Sequence, residues 1–113
     1  MINVAVIGAS GMAQGHMKGI VANKNAKLVA ICDINFEKTE LAAKRINLSD
    51  DVKRYACYKE MIEKEELDAV VVVTPDATHR EITVYCLEAG LHVLCEKPMA
   101  LNLDDCRAMI AAE

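Results

Sequence analysis

Four short runs rich in Val, Ile and Ala, at residues 2–7, 28–32, 69–73 and 92–95, are continuous rather than alternating in hydropathy. A strand with water on one face alternates, and a strand covered on both faces does not, so these runs predict a parallel sheet lying between helical layers. A weaker run at residues 53–57 is short and charged and predicts an edge strand. Helical patterns lie between the strands. Residues 36–46 carry Leu41, Ala42 and Ile46 on one side, and Met61 and Ile62 sit in a charged turn. Ile82, Tyr85, Cys86 and Ala89 fall at i, i+3, i+4 and i+7, with Gly90 as the C-cap. A last pattern follows Pro98, where Asn102 can cap a helix that buries Cys106, Met109 and Ile110. Strands alternating with helices need crossover connections, right-handed in nearly all proteins, and the expectation is an open, twisted α/β sheet.

The 113 residues allow one small domain and not two. With 53% hydrophobic and 27% charged residues the chain has an ordinary globular balance, which excludes disorder and low complexity. A formal charge of −4, no Trp and a single Phe leave neither a basic patch nor a stacking platform, so no nucleic-acid partner is expected. No apolar run approaches the ~20 residues that cross a bilayer, and no basic region precedes the first strand. Neither a membrane partner nor a signal peptide is expected, and the chain reads as cytoplasmic. The five cysteines are odd in number and scattered, without a C-x-x-C pair, which argues against a disulfide framework and a metal site. Their apolar neighbours predict buried, reduced thiols.

Gly8-Ala9-Ser10-Gly11-Met12-Ala13 directly follows the first strand and opens a helix, in the position of the dinucleotide fingerprint G-x-G-x-x-G/A. Gly8 makes the tight turn, the backbone N–H groups of Ser10, Gly11 and Met12 would face a pyrophosphate, and Ala13 lets helix and strand approach. Ser10 stands where the fingerprint has its second glycine, and its hydroxyl can donate to the phosphate. The same turn also suits a purely structural strand-to-helix connection. Asp33, 22 residues beyond Gly11 at the end of the second strand, can accept hydrogen bonds from the adenosine ribose hydroxyls, or cap the helix at Phe36, or both. Ile34 beside it offers no guanidinium for a 2′-phosphate, which Asp33 would repel, so NAD is expected in preference to NADP.

Two more polar loops lie at carboxyl ends of strands, Thr74-Pro75-Asp76-Ala77-Thr78-His79 and Glu96-Lys97-Pro98, on the edge where open α/β sheets bind ligands. In V-I-G-A-S-G-M-A-Q-G-H, in Asp33, in D-A-V-V-V-V-T-P-D-A-T-H and in H-V-L-C-E-K-P, the chain resembles the N-terminal NAD(P)-binding domain of the glucose-fructose oxidoreductase and inositol dehydrogenase (Gfo/Idh/MocA) family over essentially its whole length. The resemblance implies a Rossmann-type doubly wound parallel sheet, truncated, without the family's sixth parallel strand and without its C-terminal α/β domain. It implies that Thr74, Pro75 and His79 line the ribose and nicotinamide side of the cofactor, and that Glu96 and Lys97 reach the nicotinamide and the substrate. Lys97 would be catalytic, working with a histidine or acidic residue of the second domain. That domain also holds the oligomer together, so a homo-oligomer is expected where it is present, and the 113 residues alone are expected to be inactive.

Plainer readings stand beside these. Lys97 also fits a solvated surface lysine, although Glu-Lys-Pro closing a buried strand is an unusual place for one. His79 also fits a packing role at the helix that begins near Thr78. His16 and His92 read as structural, and Met12, Met17 and Met61 as core filling. The leading function is hydride transfer between nicotinamide and a hydroxyl-bearing carbon of a sugar, cyclitol or related polyol. A non-catalytic nucleotide-binding regulator and the cofactor domain of an NAD-dependent glycoside hydrolase share the same residues. The end at Glu113, in a helical pattern with no Gly or Pro stop signal, is expected to be an internal point of a longer protein.

Overall fold

The computed structural model describes residues 2–74 and 78–95. Within them the chain forms β1 (Ile2–Ile7), α1 (Gly11–Ala22), β2 (Ala26–Cys32), α2 (Phe36–Arg45), β3 (Lys53–Tyr55), α3 (Tyr58–Lys64), β4 (Ala69–Val72), α4 (His79–Glu88) and β5 (His92–Cys95). The helix expected after Pro98, with Asn102, Cys106, Met109 and Ile110, lies outside the described residues.

All four strand pairings are parallel, in the order β3-β2-β1-β4-β5. The chain therefore starts in the middle of the sheet, winds outward through β2 and β3, and returns past β1 to build β4 and β5. Helices α1 and α2 cover one face, where Met17 and Ala42 meet Val4, Val6 and Ile31. Helices α3 and α4 cover the other, where Met61, Ile82 and Cys86 meet Ala5, Ile7 and Val72. Because both faces are covered, the strands need no polar alternation, as the hydropathy runs require.

Strand β2 contains an irregularity that the sequence does not announce. Val4 pairs with Leu28 and Ala5 with Ala30, which leaves Val29 as an extra residue in β2. This bulge changes the parity of the strand. Ala26 and Leu28 pack on the α1/α2 side, whereas Ala30 and Cys32 pack on the α3/α4 side.

Several expectations need correction. Leu41 does not join the buried stripe of α2 and is 56% exposed. The helix meets the sheet through Thr39, Ala42 and Ala43, small residues that bring its backbone close, and Leu41 lies two positions, about 200°, round from Thr39. Ala89 is exposed, at the C-cap of α4, while Thr83 is buried. Strand β2 begins two residues earlier than the apolar run, and β3 ends at Tyr55 rather than at Cys57. Cys57 becomes the N-cap of α3, beyond the edge strand, and its thiol is exposed. The thiols of Cys32 and Cys86 are buried as expected, and burial pushes both up to about 12, with Cys57 and Asp33 adding to the effect at Cys32. They stay protonated and are not nucleophiles.

Candidate functional site

Three connections meet at the carboxyl edge of the sheet, where β1, β2 and β4 end side by side. The first is the glycine turn. The N–H of Gly8 donates to the carbonyl of Cys32 at 2.6 Å, the last backbone rung between β1 and β2, while Val73 N–H donates to Ile7 on the other side at 2.8 Å. Gly8 has φ +108°, a value L side chains rarely adopt, and a Cβ there would lie 2.7 Å from the Val73 carbonyl carbon. Only glycine allows the chain to turn this close to β4.

Ser10 is the N-cap of α1, and its own hydroxyl caps nothing. The first turn of α1 carries no acidic residue, so no side chain there answers its amides. Ala13 and Met17, one turn apart, are fully buried against the sheet and hold this amide end in place. The N-terminus of a twelve-residue helix, uncapped and built on a glycine turn, is suited to an anionic group. Met12 was expected in the core and is instead 62% exposed, because the buried stripe of α1 runs through Ala13 and Met17 and leaves its neighbour on the open side.

The second connection is the loop after β2. Asp33 is held at both ends: its N–H donates to Tyr55 at 3.1 Å, and its carboxylate accepts from Ala9 N–H at 3.0 Å through Oδ2 and from Asn35 N–H at 2.9 Å through Oδ1. The expected capping of α2 falls to Asn35, whose side chain accepts from Glu37 N–H at 3.2 Å. A carboxylate has about four lone-pair positions, so Asp33 keeps acceptor capacity beyond these two bonds. Ile34 is 94% exposed beside it, a large apolar side chain at the mouth of a polar loop. The bond from Ala9 to Asp33 spans 24 residues and had no signal in the sequence.

The third connection follows β4. Thr78 Oγ1 donates to Thr74 Oγ1 at 2.8 Å, which ties the end of the loop to its beginning. His79 is the first residue of α4. Pro75, Glu96, Lys97 and the side chain of His79 lie outside the described residues. The glycine turn, Asp33, Ile34 and Thr74 are brought to one edge.

Cavity size alone points elsewhere. A cavity of about 560 Å³ opens between the C-terminal end of α1, the start of β2 and the segment after α2, at the opposite edge of the sheet. Another of about 360 Å³ lies between α3 and α4. Neither touches an expected site residue. The site is better located by backbone topology, at the switch point between β1 and β4 where the winding of the sheet reverses. Among the described residues no cluster of three His, Cys, Asp or Glu could hold a metal ion, and no helix is long and apolar enough to cross a membrane.

Comparison with known proteins decides what this edge belongs to. A family model described as an oxidoreductase family with an NAD-binding Rossmann fold matches residues 2–113. The chain belongs to the Gfo/Idh/MocA oxidoreductase family. It is 32% identical over 113 residues to an inositol 2-dehydrogenase of Azotobacter vinelandii, covering 99% of this chain and 33% of that protein. It is 34% identical over 109 residues to a glucose-6-phosphate 3-dehydrogenase of Bacillus subtilis, covering 96% of this chain and 29% of that protein. The crystal structure of the WlbA dehydrogenase from Bordetella pertussis, in complex with NADH and UDP-GlcNAcA, superposes with a TM-score of 0.87 at 28% identity, covering 98% of this chain and 33% of that one. The chain spans about a third of the length of the relatives it matches. It is an NAD-binding Rossmann domain of the Gfo/Idh/MocA type.

Proposed function

We propose that this domain serves an oxidoreductase that moves a hydride between nicotinamide and a hydroxyl-bearing carbon of a sugar, cyclitol or related polyol, with NAD preferred to NADP. The observation that carries the cofactor preference is Asp33. Its carboxylate is anchored by two backbone amides at the mouth of the crevice, and it would accept from the 2′- and 3′-hydroxyls of the adenosine ribose while repelling a 2′-phosphate. The uncapped N-terminus of α1 would hold the pyrophosphate, with Gly8 shaping the turn and Ser10, Gly11 and Met12 giving amides to it. Exposed Ile34 would offer its apolar surface to the adenine. Thr74, Pro75 and His79 would face the ribose and nicotinamide, and Glu96 and Lys97 the nicotinamide and substrate, the places the family resemblance gives them.

NAD supplies the hydride acceptor at C4 of its nicotinamide, and the protein supplies position and proton transfer. The side chain of Lys97, beside the substrate hydroxyl, would orient it, and as the neutral amine would take its proton and become the ammonium as the hydride is transferred. The substrate class comes from the relatives, dehydrogenases of inositol and of sugar phosphates. The reading places these residues in a longer, homo-oligomeric protein of the cytoplasm, a compartment in keeping with the exposed free thiol of Cys57.

Calorimetric titration of the chain with NAD and NADP tests the cofactor half: NAD should bind more tightly, and equal affinities would remove Asp33 from its assigned role. The absorbance of reduced nicotinamide tests the substrate half, in a protein that carries the remaining two thirds. It should grow with a cyclitol or sugar present, and a panel of polyols giving no reduction would overturn that half.

A further inference from the structure

We infer that Asp33 is also a positioning residue, which holds the glycine turn in the shape that meets the pyrophosphate. In a regular strand successive amides point to opposite sides. Gly8 N–H points to β2, so the next amide, that of Ala9, should point toward β4. The φ of +108° at Gly8 turns it back instead, toward β2, beyond the last backbone rung at Cys32. The Asp33 carboxylate accepts from it there at 3.0 Å, extending the β1-β2 ladder by one rung. The other end of the residue is tied as well: Gln14 Nε2 donates to the Ala9 carbonyl at 3.3 Å. Ala9 is 3% exposed, so few waters could replace the carboxylate as its acceptor. Residue 9 leads directly into the amides of residues 10–12, and its orientation sets theirs.

This inference rests on the proposed cofactor reading, and it changes what a familiar substitution should do. If Asp33 served only the ribose, Asp33→Ser would relax the choice between NAD and NADP. A serine hydroxyl is too short to reach both amides, so the brace is lost and affinity for both cofactors should fall.

An NAD analogue with a 2′,3′-dideoxy adenosine ribose separates the two roles, because it has no hydroxyl for Asp33 to recognise. Asp33→Ser should weaken binding of this analogue by about tenfold, in the range of a lost hydrogen bond to a charged group. Asp33→Asn, whose single amide oxygen can accept from one of the two N–H groups, should recover part of the loss. In the ligand-free chain, hydrogen exchange at the Ala9 amide should rise by about tenfold in Asp33→Ser, with the central β1 amides unchanged. Analogue binding equal to wild type in both variants would overturn the brace and leave the ribose role standing. A wild-type chain that binds neither NAD nor the analogue would overturn the cofactor reading instead, and unchanged Ala9 exchange would reject the brace whatever the ligand result.

Discussion

The carbonyl of Val73 faces the missing side chain of Gly8, so close that a single added carbon there would overlap it. The obstacle is backbone on both sides, which cannot swing away as a flexible side chain would. Gly8→Ala should therefore separate β1 from β4 at the carboxyl edge or force the turn into another path. A destabilisation of about 3 kcal/mol or more is expected in urea unfolding, from steric overlap added to an unfavourable φ. A loss below about 1 kcal/mol would show that the turn is looser than this geometry requires, since Gly→Ala at a site whose backbone tolerates it stabilises by about 0.4 to 1 kcal/mol.

Ala13 controls how near α1 lies to the sheet. It is fully buried, and Ala13→Leu adds three carbons to a closed space, which should cost about 1 to 3 kcal/mol. Because α1 carries the amides assigned to the pyrophosphate, NAD affinity should fall together with stability. Met17→Ala, one turn further along and equally buried, should cost about 2 to 5 kcal/mol while leaving the helix N-terminus closer to its original position. Chemical unfolding paired with NAD titration checks this ordering, in which the Leu variant loses more affinity per unit of stability than the Ala variant.

Alkaline pH should destabilise the fold. Cys32 and Cys86 are raised from 9.0 to about 12, chiefly by burial, so above pH 9 the unfolded chain releases thiol protons that the folded chain keeps. The folded state then binds more protons, and its stability falls as pH rises from about 9 toward 12. Tyr55 shifts the same way from 10.0 to about 12, led by its hydrogen bond to Glu65. The contribution of these groups is fully present below pH 9. Urea midpoints measured from pH 7 to 11 should show the decline, and Cys86→Ala should make it shallower. A midpoint indifferent to this substitution across the range would count against Cys86 as a source.

In a protein that carries the remaining two thirds, Lys97→Met should lower kcat by about 10² to 10⁴, as expected for loss of a general acid-base group. NAD affinity should change little, since the adenosine and pyrophosphate contacts are assigned to other loops. Turnover followed by absorbance and binding followed by fluorescence separate the two. Normal turnover in the Met variant would make Lys97 a structural residue.

The layered sheet was legible because burial on both faces leaves an unmistakable mark, a continuous apolar run. Element positions were therefore found where the chain is most apolar and drifted where it is not, as at Ala26 and Lys27, which belong to β2 without looking like strand. Leu41 and Met12 were misplaced for a common reason. Hydrophobicity says that a side chain can be buried, whereas small residues such as Thr39, Ala42 and Ala13 decide which side of a helix comes close enough to bury anything. At the candidate site, the fingerprint and its spacing single out Gly8 and Asp33 as candidates. Their joint anchoring has no such signal, because the Ala9-Asp33 bond depends on how two strand ends lie side by side.

The extra residue at Val29 limits the ways in which β2 can vary. Exchanging Ala26, Leu28 or Ile31 is felt by the α1/α2 layer, and exchanging Ala30 or Cys32 by the α3/α4 layer, so each set can be retuned without consulting its counterpart. Removing one residue is a different kind of event. It would restore strict alternation, and either Ala26 and Leu28 or Ala30 and Cys32 would then face the wrong layer, with the Asp33 loop pulled out of step with the turn at Gly8. This segment is free in its spelling and fixed in its length, and a comparison of related chains should show many substitutions there and almost no gaps.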